Sequence, residues 1–131
     1  MQATSVGENA SALLDYLPPG SFRFAAYDRL QRVLFFGPKD VFTHMGVAEA
    51  AGVLSNPPDY YRIGGNVIGG LVCRSTQGNV YFDPFSGTFP GSTEAVTEAE
   101  SELRAFCAAL SFPYQDYSHV PIAARVDQSK Y

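Results

Sequence analysis

The run Val67-Ile68-Gly69-Gly70-Leu71-Val72-Cys73-Arg74, then Ser75-Thr76-Gln77-Gly78-Asn79, then Val80-Tyr81-Phe82-Asp83, decides the fold class. The first segment is an apolar strand. Thr76 to Asn79 carries the residues of a hairpin loop, and Val80 to Asp83 is the returning strand. A hairpin pairs its strands antiparallel. Glycines within a strand mark a bulge or a close backbone approach, and that is the reading of Gly69-Gly70.

Upstream, Tyr60-Tyr61-Arg62-Ile63 reads as a short strand and Gly64-Gly65-Asn66 as its turn. Phe22, Phe24 and Ala26 fall on one side of an alternating strand, with Arg23 between them. Asp28 to Gln31 can turn the chain, Arg32 to Phe36 reads as a second strand, and Gly37-Pro38 closes it. Val41, Met45 and Ala48 have helical spacing, which Gly46 and Gly52 weaken. Asn56-Pro57-Pro58 breaks the pattern. At the start, residues 1–4 are expected to fray. Ser5 and Glu8 have the spacing of a capping box, followed by a short helix through Leu13, Leu14 and Leu17. Pro18-Pro19-Gly20 ends that helix.

Downstream, Thr97 and Glu100 form a second capping-box match. Leu103, Phe106, Cys107 and Leu110 then trace one apolar stripe, off which Glu98, Glu102 and Arg104 fall. Pro113 stops the helix, and Val120 to Val126 reads as an edge strand or an arm. Together these elements predict an α+β protein: a single domain over residues 1–131, mainly an antiparallel sheet flanked by helices, with an extended tail from about residue 112.

The chain has 131 residues, 46% of them hydrophobic and 17% charged. This length suffices for one domain with its own core, without a disulfide or metal staple. The net charge of −4, from 9 Lys and Arg against 13 Asp and Glu, disfavours a nucleic acid as partner. No apolar run reaches the roughly 20 residues of a membrane span, so no membrane partner is expected. No secretory signal is visible at Met1-Gln2-Ala3-Thr4, and two cysteines are too few for a disulfide scaffold. A reducing, cytoplasmic location is the simplest expectation.

The order Asp59-Tyr60-Tyr61-Arg62-Ile63-Gly64-Gly65, a Gly-containing apolar strand, a Gly78-Asn79-Val80-Tyr81 hairpin and a helix reading Ser101-Glu102-Leu103-Arg104-Ala105-Phe106-Cys107-Ala108-Ala109-Leu110 resembles the SUKH superfamily of Syd and Smi1/Knr4-like proteins. The resemblance covers residues 59–110. It implies an antiparallel sheet flanked by helices and no enzymatic activity. It further implies an immunity protein that binds and neutralises a bacterial toxin, of nuclease or deaminase type, by occluding its active site. A Smi1/Knr4-like interaction hub is the related alternative. An assembly subunit such as a phage structural protein and a small-molecule-binding α+β domain are the others.

The residues themselves offer little catalytic chemistry. His44 and His119 have no nucleophile placed beside them and read as partly exposed histidines. Cys73 and Cys107 lie on apolar stripes and read as inert core residues. Gly65 and Gly70 bracket four residues, but Leu71-Val72 stands where a phosphate loop needs Lys-Ser/Thr. No spaced Cys/His cluster suggests a metal, and no cofactor is expected. Asp15, Asp28, Asp40 and Asp59 neighbour turns or caps, where Asp bonds its own backbone.

Surface acids and tyrosines are therefore the candidate partner-binding residues. Glu94, Glu98 and Glu102 would form an acidic patch that steers a basic toxin surface, or simply a solvated helix face. Asp59, Tyr60, Tyr61, Tyr114, Asp116 and Tyr117 would add aromatic anchors and flanking acids, unless two of the tyrosines face the core.

Overall fold

The computed structural model describes residues 4–5, 17–36, 67–84 and 92–126. Among these residues five strands form one antiparallel sheet: β1 (Thr4–Ser5), β2 (Phe22–Asp28), β3 (Val33–Phe36), β4 (Val67–Arg74) and β5 (Val80–Asp83). Their spatial order is β1-β3-β2-β4-β5. A single α-helix among the described residues, α1 (Thr93–Ala109), crosses one face. The fold class is therefore α+β, as read from the hairpin.

β4 is the spine of the sheet. It pairs with β2 from Phe22↔Cys73 to Asp28↔Val67, and with β5 from Leu71↔Asp83 to Arg74↔Val80. Its hairpin loop is closed by Ser75, whose N–H donates to Asn79 O at 2.8 Å and whose Oγ accepts from Asn79 N–H at 3.1 Å. Gly78 takes φ +91°, which a side chain would resist. Gly70 marks a close approach: a Cβ there would lie 2.7 Å from Asp83 O and against the Phe82 ring. That packing explains an apolar strand that tolerates a glycine at its centre.

Strand alternation divides the core into two clusters. Ala25, Tyr27, Leu34, Ile68, Val72 and Phe82 face α1, which buries Ala95, Ala99, Leu103 and Cys107 on one i, i+4 stripe. Phe24, Ala26, Leu71, Cys73 and Tyr81 face the other way, where Val120, Ala124 and Val126 cover them. The segment that supplies this cover, after Pro113, is built from two 3-10 turns, Tyr117–His119 and Ile122–Ala124. An edge strand was one reading of residues 120–126; these turns replace it. The segment is held by polar pins, with Arg125 donating to Val120 O and Tyr117 O and Tyr81 Oη accepting from Val126 N–H at 2.8 Å.

Three local expectations need correction. Thr4, expected to fray, pairs with Phe36, and Ser5 beside it pairs with Phe35, because β3 offers them an open edge. α1 begins four residues before Thr97: Ser92 is its cap, accepting from Ala95 N–H at 3.2 Å, and Glu94 lies in its first turn. Thr97 instead donates back to Thr93 O within the helix. The stripe also shifts, so that Leu110 is an exposed C-cap and Ala95 and Ala99 join the core. The expected helices at 5–17 and 41–51, the strand at 60–63 and its turn at 64–66 lie outside the described residues, apart from Ser5 and Leu17.

Candidate binding site

The exit from α1 builds the site. Ser111 sits at φ +60°, Ser111 N–H donates to Ala108 O, and Phe112 N–H donates to Cys107 O at 2.9 Å. This pair of bonds is a Schellman closure with serine in the left-handed position that glycine usually fills. It reverses the chain, so that residues 113–115 run along the outer edge of β5. There Val80 N–H donates to Pro113 O, Gln115 N–H donates to Val80 O, and Tyr114 bridges Val80 in parallel.

Between that returning segment and the last turns of α1 lies an open cleft of about 350 Å³. Arg104 and Ala108 line it from the helix, and Phe112, Tyr114, Gln115, Asp116 and His119 from the returning chain. Arg104 forms an ion pair with Asp116 and lies 5.5 Å from the centre of the Tyr114 ring. Gln115 Oε1 accepts from Asn79 Nδ2 and its Nε2 donates to His119 O, which braces the floor. The Tyr114 hydroxyl is buried and has no hydrogen-bond partner among the described residues. Burial, then the nearby Glu100 and Asp116 charges, push its pKa upward, so it stays a neutral donor and acceptor.

The nine candidate residues do not come together in one place. Tyr114 and Asp116 meet in the cleft. Tyr117 lies across the sheet, stacked under Arg125 at 4.2 Å and packed beside Tyr81. Tyr114 and Tyr117 thus pack against opposite core clusters. Glu98 binds Arg29 at 2.8 Å and accepts from the Tyr27 hydroxyl at 3.3 Å, while Glu94 reaches the same Arg29 at 3.7 Å. The Arg29 hydrogen bond holds the Glu98 carboxyl below its usual range. Burial, with Glu98 and Glu102 adding charge, pushes Tyr27 up to about 12. Two of the three acids therefore tie α1 to the end of β2. Glu102 is half-buried on the same helix. Asp59, Tyr60 and Tyr61 lie outside the described residues.

Reading the sequence missed Arg104, Phe112 and His119 as neighbours of Tyr114. Arg104 was visible only as a residue off the apolar stripe, and its partner Asp116 is brought to it by the Ser111 reversal. Elsewhere the chemistry is quiet. Burial pushes the Cys107 thiol up to about 12 and the Cys73 thiol higher still, away from nucleophilic thiolates. Asp28 Oδ1 accepts from Leu30 N–H at 3.0 Å, the local turn role its position suggested. Among the described residues no group of three or more His, Cys, Asp and Glu could hold a metal ion. No described helix is long and apolar enough to cross a membrane. Comparison of the chain with protein-family models, with curated proteins and with solved structures finds no match.

Proposed function

We propose that this chain is a non-enzymatic protein-binding domain of the immunity type, acting in the cytoplasm against a bacterial toxin domain with a basic surface. In this reading it binds over the toxin's active site and excludes substrate. The observation that supports a binding role is the α1 cleft, which joins an apolar wall to the Arg104–Asp116 ion pair. The resemblance to SUKH proteins over residues 59–110 supplies the toxin as the partner class.

The test is a native-lysate pull-down at physiological salt, followed by an activity assay of any stoichiometric partner with and without this chain. A single partner whose nuclease or deaminase activity is suppressed at equal stoichiometry supports the reading. Recovery of the chain alone, or of many sub-stoichiometric partners, counts against it; the latter points to an interaction hub and copies of a structural protein to an assembly subunit. One observation favours a second reading: a cleft near 350 Å³ lies at the small end of ligand pockets. A thermal-shift panel separates the two, since a ligand that binds only the folded state raises Tm.

A further inference from the structure

We infer that residues 113–126 form a latch, a preformed body that leaves the sheet as one unit about Ser111, and that the α1 cleft exists only while the latch is shut. The segment is knotted by its own arginine. Arg125 Nε donates to Val120 O at 3.1 Å and Nη2 to Tyr117 O at 3.2 Å, while the guanidinium stacks on the Tyr117 ring at 4.2 Å. These contacts lie inside the segment, so they survive when it moves.

Its attachments to the rest of the chain are of another kind. Backbone N–H groups carry most of them: Thr76 donates to Ala124 O, Val80 to Pro113 O, Gln115 to Val80 O and Val126 to the Tyr81 hydroxyl, all between 2.8 and 3.0 Å. Val120, Ala124 and Val126 add a small apolar seat. The pivot is strained, because Ser111 holds φ +60° and relaxes when the chain leaves. Tyr114, Gln115, Asp116 and His119 are the latch's share of the cleft lining, so opening removes that wall. The same motion uncovers Cys73, whose thiol shares a hydrogen bond with the Tyr81 hydroxyl. Cys107 lies on the other face, under α1. The two buried thiols therefore report on the two covers separately.

The experiment follows both thiols of the whole chain with an aromatic disulfide reagent, in native buffer and in rising urea. Each rate is referred to that of the unfolded chain, and amide exchange is measured in parallel. We expect Cys73 to react at least about ten-fold faster than Cys107. Its rate should depend little on urea, since a local opening exposes little surface. The amides of Thr76, Val80, Gln115 and Val126 should share one opening constant, equal to that of Cys73. Arg125→Ala unties the knot and should speed Cys73 and these amides by about ten-fold, with Cys107 unchanged. Equal thiol rates with the same steep urea dependence, or separate opening constants for those amides, overturn the latch. So does Arg125→Ala if it leaves Cys73 unmoved or speeds both thiols alike. The urea and amide measurements need only the unaltered chain, so they decide the matter if Arg125→Ala does not fold.

Discussion

On one face of the sheet, the 17 residues of α1 lay Ala95, Ala99, Leu103 and Cys107 across Ile68, Val72 and Phe82. On the other face, a segment of two three-residue turns sets Val120, Ala124 and Val126 against Phe24, Leu71 and Tyr81. The helix satisfies its own backbone and binds by apolar area. The tail has few internal backbone bonds and leans on side-chain pins, chiefly Arg125 and the Tyr81 hydroxyl. Two covers of one sheet thus draw on different physics. The first resists local opening through its packed area, whereas the second can open when a few polar contacts are lost.

The sharpest way to break this contrast is to strip apolar area from the helix side. Leu103→Ala leaves a cavity under α1 and should cost about 2–5 kcal/mol in a denaturant melt. A cost near 1 kcal/mol would mean that the helix is not the main cover. Next comes Gly70→Ala, whose methyl would meet Phe82 and Asp83 O on the same face; overpacking should cost about 1–3 kcal/mol. On the tail side, Tyr81→Phe removes the acceptor of Val126 N–H at 2.8 Å and should cost about 1–2 kcal/mol. The more informative readout is hydrogen exchange. Amides from 117 to 126 should exchange faster in that variant while those of α1 hold; uniform acceleration would show that both covers open as one unit.

Two smaller effects sharpen the picture at the helix end and along its exposed side. Ser111→Gly relieves the left-handed φ of +60° and should raise stability by up to about 1 kcal/mol, read as a higher Tm. The least effect is electrostatic. Glu98 has a folded pKa below its unfolded value, so its contribution is present above the usual carboxylate pKa and fades as pH falls through the folded value. Glu100 has a raised folded pKa, so its cost is present above that value and fades in acid. Glu98→Gln should therefore flatten the acid loss of Tm, and Glu100→Gln should give a slight gain at neutral pH that disappears in acid. Each change is small because solvent screens both sites. Melts across that pH range that show the same slope for both variants would refute the opposite signs.

Much of the sheet was legible because its information is local. The bounds of β4 and β5 follow from an apolar run, a Gly78-Asn79 turn and a second run, all within 17 consecutive positions. The two-sided pattern of β2 likewise follows from alternation. The start of α1 was misplaced because Thr97-Glu100 mimics a capping box. Ser92 lacks a glutamate three residues later, so it caps in one direction only. The candidate site was legible only in part. Tyr114 and Asp116 could be named as an aromatic and an acid, but nothing nearby in sequence announces Arg104, 12 positions before Asp116 and across a chain reversal. Glu94 and Glu98 looked like free acids because their counter-charge, Arg29, is 69 positions from Glu98.

The amino-acid sequence by itself determined the class of this protein: an apolar hairpin with close-packed glycine, a third strand in alternation and an amphipathic helix leave an α+β arrangement, since each pattern is set by neighbours in the chain. Tertiary structure alone decided which acids are neutralised, which tyrosine faces which core, and that the segment after Pro113 covers a sheet face. Those outcomes depend on pairs far apart in sequence, whose meeting is governed by strand register and by the turn at Ser111.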